Sequence, residues 1–263
     1  LRVPADWNPA QYRKFADQRA QPFWDLVALV EPDRFDAAVD LGCGSGELTA
    51  AAAERLGVRV MVGIDNSHAM LDAARPQASD GLEFEFADIA DWTSAHDRDL
   101  VIANASLQWV PDHPAVLARW VAALRPGGQL AVQVPANADH ASHLAGATVA
   151  CREPFVSAMG GDPPPDPVAV NVLRPEQYAE ALFELGGAVP RVRLQVYPHL
   201  LPSSADVVEW VRGTSLRRFF KRLPDELHEP FVDAYRVELL ARIGERAPYL
   251  YPFKRILMWG RVG

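Results

Sequence analysis

The residues with the clearest chemical potential lie in the first half of the chain. Val39-Asp40-Leu41-Gly42-Cys43-Gly44-Ser45-Gly46 follows a short apolar run and precedes an Ala-rich one. Glycines in such a turn let the backbone bend tightly and approach a ligand with no Cβ in the way. The helix that follows directs unpaired N–H groups at negative charge. A glycine pattern alone is a weak signal. Its weight here comes from carboxylates at successive strand ends: Asp40 before the glycines, Asp65 in Gly63-Ile64-Asp65, and Asp88 in Ala87-Asp88-Ile89. A carboxylate that ends the second strand accepts hydrogen bonds from ribose hydroxyls. One after the third strand accepts from an adenine amino group, with Ile89 as an apolar surface for the ring. Asp40 suits a cationic amino group and repels a diphosphate. Each Asp taken singly serves equally well as a helix cap or loop solvator. Together, around one glycine turn, they point to a nucleoside with an amino-acid end.

The segments that must position these residues alternate strand and helix. Residues 36–41, 59–64, 82–87, 100–103 and 129–134 read as strands, the third alternating as a half-exposed strand should. Residues 47–56, 67–74 and 113–124 read as helices, the second stopped near Pro76 and the last ending at Arg125-Pro126-Gly127-Gly128. This rhythm predicts a parallel, doubly wound α/β sheet with right-handed crossovers. Beyond Pro135 the pattern changes to helices over 137–159 and 175–185, strands over 191–200 and 255–261, and mainly helix over 203–246. Gly160-Gly161-Asp162-Pro163-Pro164-Pro165 reads as an irregular loop. The predicted organisation is an N-terminal helical lid (1–34), a cofactor-binding α/β core (35–137), and a helical cap insertion with the proline loop (138–175). A core helix and strand (176–202), a second helical cap segment (203–252) and a final core strand (253–263) complete it.

Composition narrows the function further. The 263 residues carry 26 Lys+Arg against 34 Asp+Glu, a net charge of -8, with 49% hydrophobic and 23% charged residues. That balance excludes general nucleic-acid binding, which needs many cations to displace counterions. No apolar stretch approaches the ~20 residues that span a bilayer, and residues 1–8 lack the apolar core of a signal peptide. Two cysteines, Cys43 and Cys151, fit a reducing compartment. The expectation is a soluble, cytoplasmic chain with neither a membrane nor a nucleic-acid partner. His140 and His143 share a helix face but have no evident third ligand, so no metal is expected. Arg217, Arg218, Lys221 and Arg222 read as an exposed basic helix face.

An acid at the first turn, ribose and adenine acceptors after it, and no call for a diphosphate favour S-adenosylmethionine over a dinucleotide. The constellation over residues 35–135 resembles the class I methyltransferase (Rossmann-like) fold. The resemblance implies a mostly parallel seven-stranded sheet with a helical cap over its carboxyl edge. It implies that Asp40, Gly42, Gly44 and Gly46 hold the methionine end, Asp65 the ribose, and Asp88 with Ile89 the adenine. Asn104 would then lie near the transferred methyl group.

The chain as a whole is similar to the trans-aconitate methyltransferase family. The similarity rests on Trp7-Asn8-Pro9, Tyr12, Phe15, Arg19 and Pro22, on Ala103-Asn104-Ala105-Ser106-Leu107-Gln108-Trp109, and on Val132-Gln133-Val134-Pro135 with Asn137. Later pieces are Tyr197, His199, Pro202-Ser203, Trp210-Val211, Leu216-Arg217, and Phe253 with Arg255; residues 138–175 match poorly. By this resemblance the acceptor is a carboxylate of a small polyacid, with trans-aconitate the leading candidate. A carboxylate with a pKa of about 4 is ionised at pH 7, so no general base and no catalytic side chain is expected; orientation and desolvation do the work. The remaining acceptor carboxylates call for Arg19, Arg217 and Arg255, helped by Tyr12 and His199, with Trp109 as a wall. The alternatives are another carboxylate, such as a malonyl group on a carrier protein, or an NAD(P)-dependent oxidoreductase on a similar fold.

Overall fold

Short, nearly continuous apolar segments become the buried strands that frame the molecule. The computed structural model describes residues 16–186 and 189–263, with the backbone alone at 16–19. Strands β1 (Ala37–Leu41), β2 (Val60–Asp65), β3 (Leu82–Phe86), β4 (Arg98–Asn104), β5 (Leu124–Pro135), β6 (Arg191–Leu201) and β7 (Tyr249–Arg261) form one sheet in the order β3-β2-β1-β4-β5-β7-β6. The first five pair in parallel, and β7 runs antiparallel to β5. Strand β1 is flanked by β2 on one side and β4 on the other, so the winding direction reverses beside it. In open α/β sheets a ligand crevice forms outside the carboxyl ends of the strands at such a reversal.

The helices are α1 (Ala16–Val27), α2 (Glu47–Leu56), α3 (His68–Ala74), α4 (His113–Ala122), α5 (Ala141–Ala150), α6 (Phe155–Ala158), α7 (Pro167–Asn171), α8 (Pro175–Glu184), α9 (Asp206–Arg212), α10 (Arg217–Phe220) and α11 (His228–Ile243). Their ends follow local chemistry. Gly57 closes α2 with φ +64, its N–H reaching the carbonyls of Ala53 and Glu54. The Ser67 hydroxyl caps α3 by accepting from Met70 N at 3.3 Å. At the amino end of the sheet, Asp99 Oδ2 accepts from both Asp36 N (2.7 Å) and Ala37 N (2.8 Å), while its Oδ1 meets Arg125 Nε at 3.1 Å. That one carboxylate ties the start of β1 to β4.

The chain divides into two compact units. The first comprises the chain up to Pro135, Asn171–Gln195 and Arg255–Gly263, and holds the sheet core. The second comprises Ala136–Val170 and Val196–Lys254. Within the second, Phe231 of α11 meets Phe155 and Phe219 at ring distances of 5.1 and 5.0 Å. Tyr235 Oη donates to Ser142 O at 2.9 Å, and Ser142 Oγ contacts Tyr251 Oη at 3.0 Å. Among the described residues no helix is long and apolar enough to cross a membrane.

Several boundaries differ from the sequence reading for identifiable reasons. The helix expected over 137–159 is two, α5 and α6, because Pro154 removes a backbone donor where a single helix would continue. Strand β5 starts at Leu124, five residues earlier than expected, since Arg98 pairs with Leu124 and a register shift before Leu100 absorbs the two glycines. Strand β7 starts at Tyr249, with Tyr249, Tyr251 and Phe253 buried and Leu250 and Pro252 exposed. That is a period-two pattern, which Pro252 obscured. The basic run is an exposed face only in part: Lys221 and Arg222 are exposed, whereas Arg217 and Arg218 are not. The Arg218 side chain is only 9% exposed and lies 3.4 Å from Asp166, which also contacts His143 Nδ1 at 2.6 Å. Arg222 Nη2 donates to Met159 O at 2.8 Å. The residues after the proline loop thus supply a buried counter-charge.

Candidate cofactor site in the first unit

The turn after β1 is held by its own backbone. Gly42 N and Cys43 N donate to Ile64 O at 2.7 and 2.9 Å, and Gly46 N donates to Cys43 O at 3.1 Å. Gly42 and Gly46 both adopt positive φ, +87° and +75°. A Cβ on Gly42 would stand 2.2 Å from Ser106 Cβ, and one on Gly46 would stand 2.6 Å from the Phe84 ring. At these two positions glycine makes room for protein side chains. Gly44 differs: at φ +57° a Cβ there would meet nothing within 4 Å among the described residues. Of the three, Gly44 is the one with room for a Cβ among the described residues.

Three carboxylates surround this turn in different states. Asp40 is buried at the end of β1, where Oδ2 accepts from Thr49 Oγ1 at 2.6 Å. Its Oδ1 is buried with no hydrogen-bond partner among the described residues. Burial, opposed by Thr49 and reinforced by nearby Asp65, pushes the Asp40 carboxyl up to about 6. Asp65 accepts from Gly44 N at 2.9 Å through Oδ2 and from Ser67 N at 2.9 Å through Oδ1. Burial raises its pKa as well, against the pull of those N–H groups. Asp88 is exposed and accepts from Ala90 N at 2.9 Å and from Asn66 Nδ2 at 3.3 Å. Ile89 beside it is buried, its carbonyl accepting from Trp120 Nε1 at 3.2 Å.

Strand β4 delivers the other wall. It ends at Asn104, whose Oδ1 is buried and unpartnered among the described residues. Ala105 then takes φ +54°, a conformation sparsely used by alanine. This bend brings Ser106 Oγ onto Leu41 O at 2.6 Å, so the turns after β1 and β4 are joined at the winding reversal. Gln108 Nε2 returns to Ala105 O at 2.6 Å, and Trp109 remains 45% exposed.

These groups fit a ligand with a cationic amino group, ribose hydroxyls and an adenine-like ring. Among the described residues the buried Asp40 Oδ1 has no donor and Gly44 leaves space, while the Asp65 oxygens retain acceptor capacity. Two carboxylates on this turn would repel a diphosphate.

The first unit therefore gathers Asp40, Gly42, Gly44, Gly46, Asp65, Asp88, Ile89 and Asn104 around the carboxyl ends of β1 to β4. Trp109 and Arg255 also belong to it. Arg255 lies opposite Pro135 in the β5–β7 register and places Nη1 3.5 Å from Gln133 Oε1. His199 and Arg217 belong to the second unit. There His199 lies against Trp210 at a ring distance of 4.6 Å, and burial lowers the Arg217 pKa. Trp7, Tyr12 and Phe15 lie outside the described residues, as does the side chain of Arg19. Among the described residues no group of three or more His, Cys, Asp or Glu could hold a metal ion. His140 Nδ1 contacts Ser142 Oγ at 2.9 Å, and His143 is committed to Asp166. Sequence reasoning missed Thr49, Ser106 and Gln133. For Gln133 the signal was an amide inside the apolar run Leu130-Ala131-Val132-Gln133-Val134.

Comparison with known proteins identifies the family and the fold. Residues 38–128 match a family described as a methyltransferase domain. Over 254 residues the chain is 43% identical to a trans-aconitate 2-methyltransferase of Deinococcus radiodurans, covering 95% of this chain and 96% of that one. It is 36% identical over 263 residues to one from Mycobacterium tuberculosis, covering 98% and 97%. Among solved structures, the YcgJ protein of Bacillus subtilis superposes with a TM-score of 0.60 at 12% identity, over 92% of this chain and 98% of that one. Phosphoethanolamine N-methyltransferase 2 of Haemonchus contortus gives 0.55 at 15% identity, over 92% and 52%. These two likenesses establish the shared fold.

Proposed function

Since the chain belongs to the trans-aconitate 2-methyltransferase family and is an S-adenosylmethionine-dependent methyltransferase, we propose that it esterifies one carboxylate of a small polycarboxylic acid, trans-aconitate first among them. The observation that carries the cofactor half of this reading is the buried Oδ1 of Asp40, which has no hydrogen-bond partner among the described residues, on the strand that leads into Gly44. When bound, S-adenosylmethionine supplies an activated methyl group on a positively charged sulfur. Asp40 accepts from the ammonium, and Asp65 from the ribose. Asp88 and Ile89 border the adenine, and Asn104 borders the methionine end. The acceptor carboxylate is already ionised at pH 7. The protein's part is then to orient the attacking oxygen and strip its water, worth several kcal/mol, with no proton to move. Arg255 is the cation of the first unit that we assign to a second acceptor carboxylate, by two parallel hydrogen bonds that lysine cannot make. Arg19 and Arg217 remain the further cations assigned to the acid, with Tyr12 and His199 as polar partners and Trp109 as a wall.

The carrier-protein alternative needs a basic docking face. The run from Arg217 to Arg222 supplies only a small one, Lys221 and Arg222, because Arg218 faces Asp166. Incubation with methyl-labelled S-adenosylmethionine and a panel of aconitate isomers, citrate, isocitrate and malonyl carrier protein tests the proposal. Label is expected in trans-aconitate as an acid- and base-labile ester. Label on the carrier protein alone, or on none of the acids, overturns it.

Asp65→Ala is expected to raise the Kd for S-adenosylhomocysteine about 10- to 100-fold, since a charge-assisted hydrogen bond contributes about 1.5–3 kcal/mol. Part of the loss comes from Gly44 N and Ser67 N, which lose their acceptor. Asp65→Asn, which keeps one oxygen, should fall between. Calorimetric titration that gives the parent value for both variants would remove Asp65 from the site.

A further inference from the structure

Strand β5 carries two buried glutamines four residues apart, hence on the same face. Both polar side-chain atoms of Gln129 have partners. Its Oε1 accepts from Glu31 N and Trp259 Nε1, each at 2.8 Å, and its Nε2 donates to Glu31 O at 2.9 Å. Gln133, at the carboxyl end of the strand, is 0% exposed and flanked by the buried Val132 and Val134. Its Oε1 faces Arg255 Nη1 at 3.5 Å. A guanidinium only donates, so this contact assigns the amide: oxygen toward Arg255, nitrogen away. That nitrogen has no hydrogen-bond partner among the described residues.

Across the ladder, the Cα partner of Gln133 is Asn104, so their side chains leave the same face of adjacent strands about 4.8 Å apart. Asn104 Oδ1 is likewise unpartnered among the described residues. An open donor therefore stands beside an open acceptor at the sheet edge that carries the methyl-transfer site. A buried amide N–H without an acceptor is costly, and the strand shows with Gln129 how a glutamine of purely structural use is satisfied. The adjacent Arg255 charge makes an anion the favoured acceptor for the Gln133 amide.

We propose that Gln133 Nε2, flanked by Arg255, receives a carboxylate oxygen of a bound ligand, which makes Gln133 a specificity-determining residue of the site. The inference rests on the methyl-transfer reading. The carboxylate has two sources, a non-reacting carboxylate of the acceptor acid or the α-carboxylate at the amino-acid end of the cofactor. Gln133→Glu keeps an oxygen toward Arg255 and replaces the donor with a second acceptor. Gln133→Met keeps the volume and removes both polar atoms.

Calorimetry on the full chain separates the sources, with thermal melts to confirm that each variant folds; should the Glu variant not fold, the Met variant alone decides. If the acceptor is the source, the Kd for trans-aconitate in the presence of S-adenosylhomocysteine rises about 30-fold in the Glu variant and about 10-fold in the Met variant. The Kd for S-adenosylhomocysteine itself then stays within about twofold. If the cofactor is the source, S-adenosylhomocysteine weakens by these factors while 5′-methylthioadenosine, which lacks the carboxylate, binds as before. Unchanged affinities in a folded variant, or equal weakening of both nucleosides, overturn the proposal. A parent chain that binds S-adenosylhomocysteine but no tricarboxylic acid would end the acceptor assignment, and the nucleoside pair would still decide the role of Gln133.

Discussion

Gly42→Ala is expected to cost about 2–5 kcal/mol of unfolding free energy and to raise the Kd for S-adenosylhomocysteine at least about 100-fold. Two effects add. Residue 42 adopts φ +87°, where an L side chain costs about 1–2 kcal/mol. The new Cβ would also stand 2.2 Å from Ser106 Cβ and 2.8 Å from Ser106 Oγ. A Cβ cannot swing aside as a flexible chain end can, so the turns after β1 and β4 must part. Separation breaks the bond from Ser106 Oγ to Leu41 O and displaces the Asp40 and Asn104 walls together. The mechanism has a specific signature. Adding Ser106→Gly removes both close atoms and leaves only Ser106 Cα, 3.6 Å away. The double variant should therefore recover roughly half of the lost stability, retaining the φ strain and the missing hydrogen bond. Urea unfolding of the parent, Gly42→Ala and the double variant checks this; Gly42→Ala as stable as the parent refutes the clash.

Asp40→Asn should raise the stability of the ligand-free protein at pH 7.5 and weaken cofactor binding. Burial pushes the Asp40 carboxyl up to about 6 in the fold, from an ordinary value of 3.8. The native state therefore binds the proton more tightly than the unfolded state. Above pH 6 the ionised, buried carboxylate costs roughly 3 kcal/mol relative to the protonated form. As pH falls from about 6 toward 3.8, this contribution makes the native state progressively less disfavoured, and Asp65 acts in the same direction. Asparagine keeps an oxygen for Thr49 and carries no charge, so a gain of roughly 1–3 kcal/mol is expected, shrinking as the pH is lowered. With S-adenosylhomocysteine the order inverts. Its ammonium loses a charged acceptor, and the Kd rises about 30- to 100-fold. The parent should release a proton on binding below pH 6, with affinity falling up to tenfold per unit as Asp40 protonates. Calorimetry in two buffers of different ionisation enthalpy measures that proton. A less stable ligand-free variant at pH 7.5, or an unchanged Kd, would contradict this account of Asp40.

The parallel core was legible because buried strands are short apolar runs and their turns are marked by Gly and Asp. Helix α2 spans the predicted residues, since Gly46 and Gly57 bracket a run of strong helix formers. What escaped depends on contacts between residues distant in the chain. Nothing local announces that Ser106 fills the space beside Gly42, or that Arg218 meets a carboxylate 52 positions earlier. Arg218 was therefore read as solvated along with Lys221 and Arg222, which are exposed. Gln133 was quoted within a motif and given no role, because a buried polar residue becomes informative only once its partners can be counted.

The clamp at Asp99 bears on how this chain can change. By engaging two β1 amides and Arg125, it anchors the amino edge of the sheet without help from any small molecule. The opposite edge can therefore tolerate the oxygens of Asp40 and Asn104 that have no hydrogen-bond partner among the described residues. Loops there can drift in sequence, and preferences for new acids can arise, while the foundation stays intact.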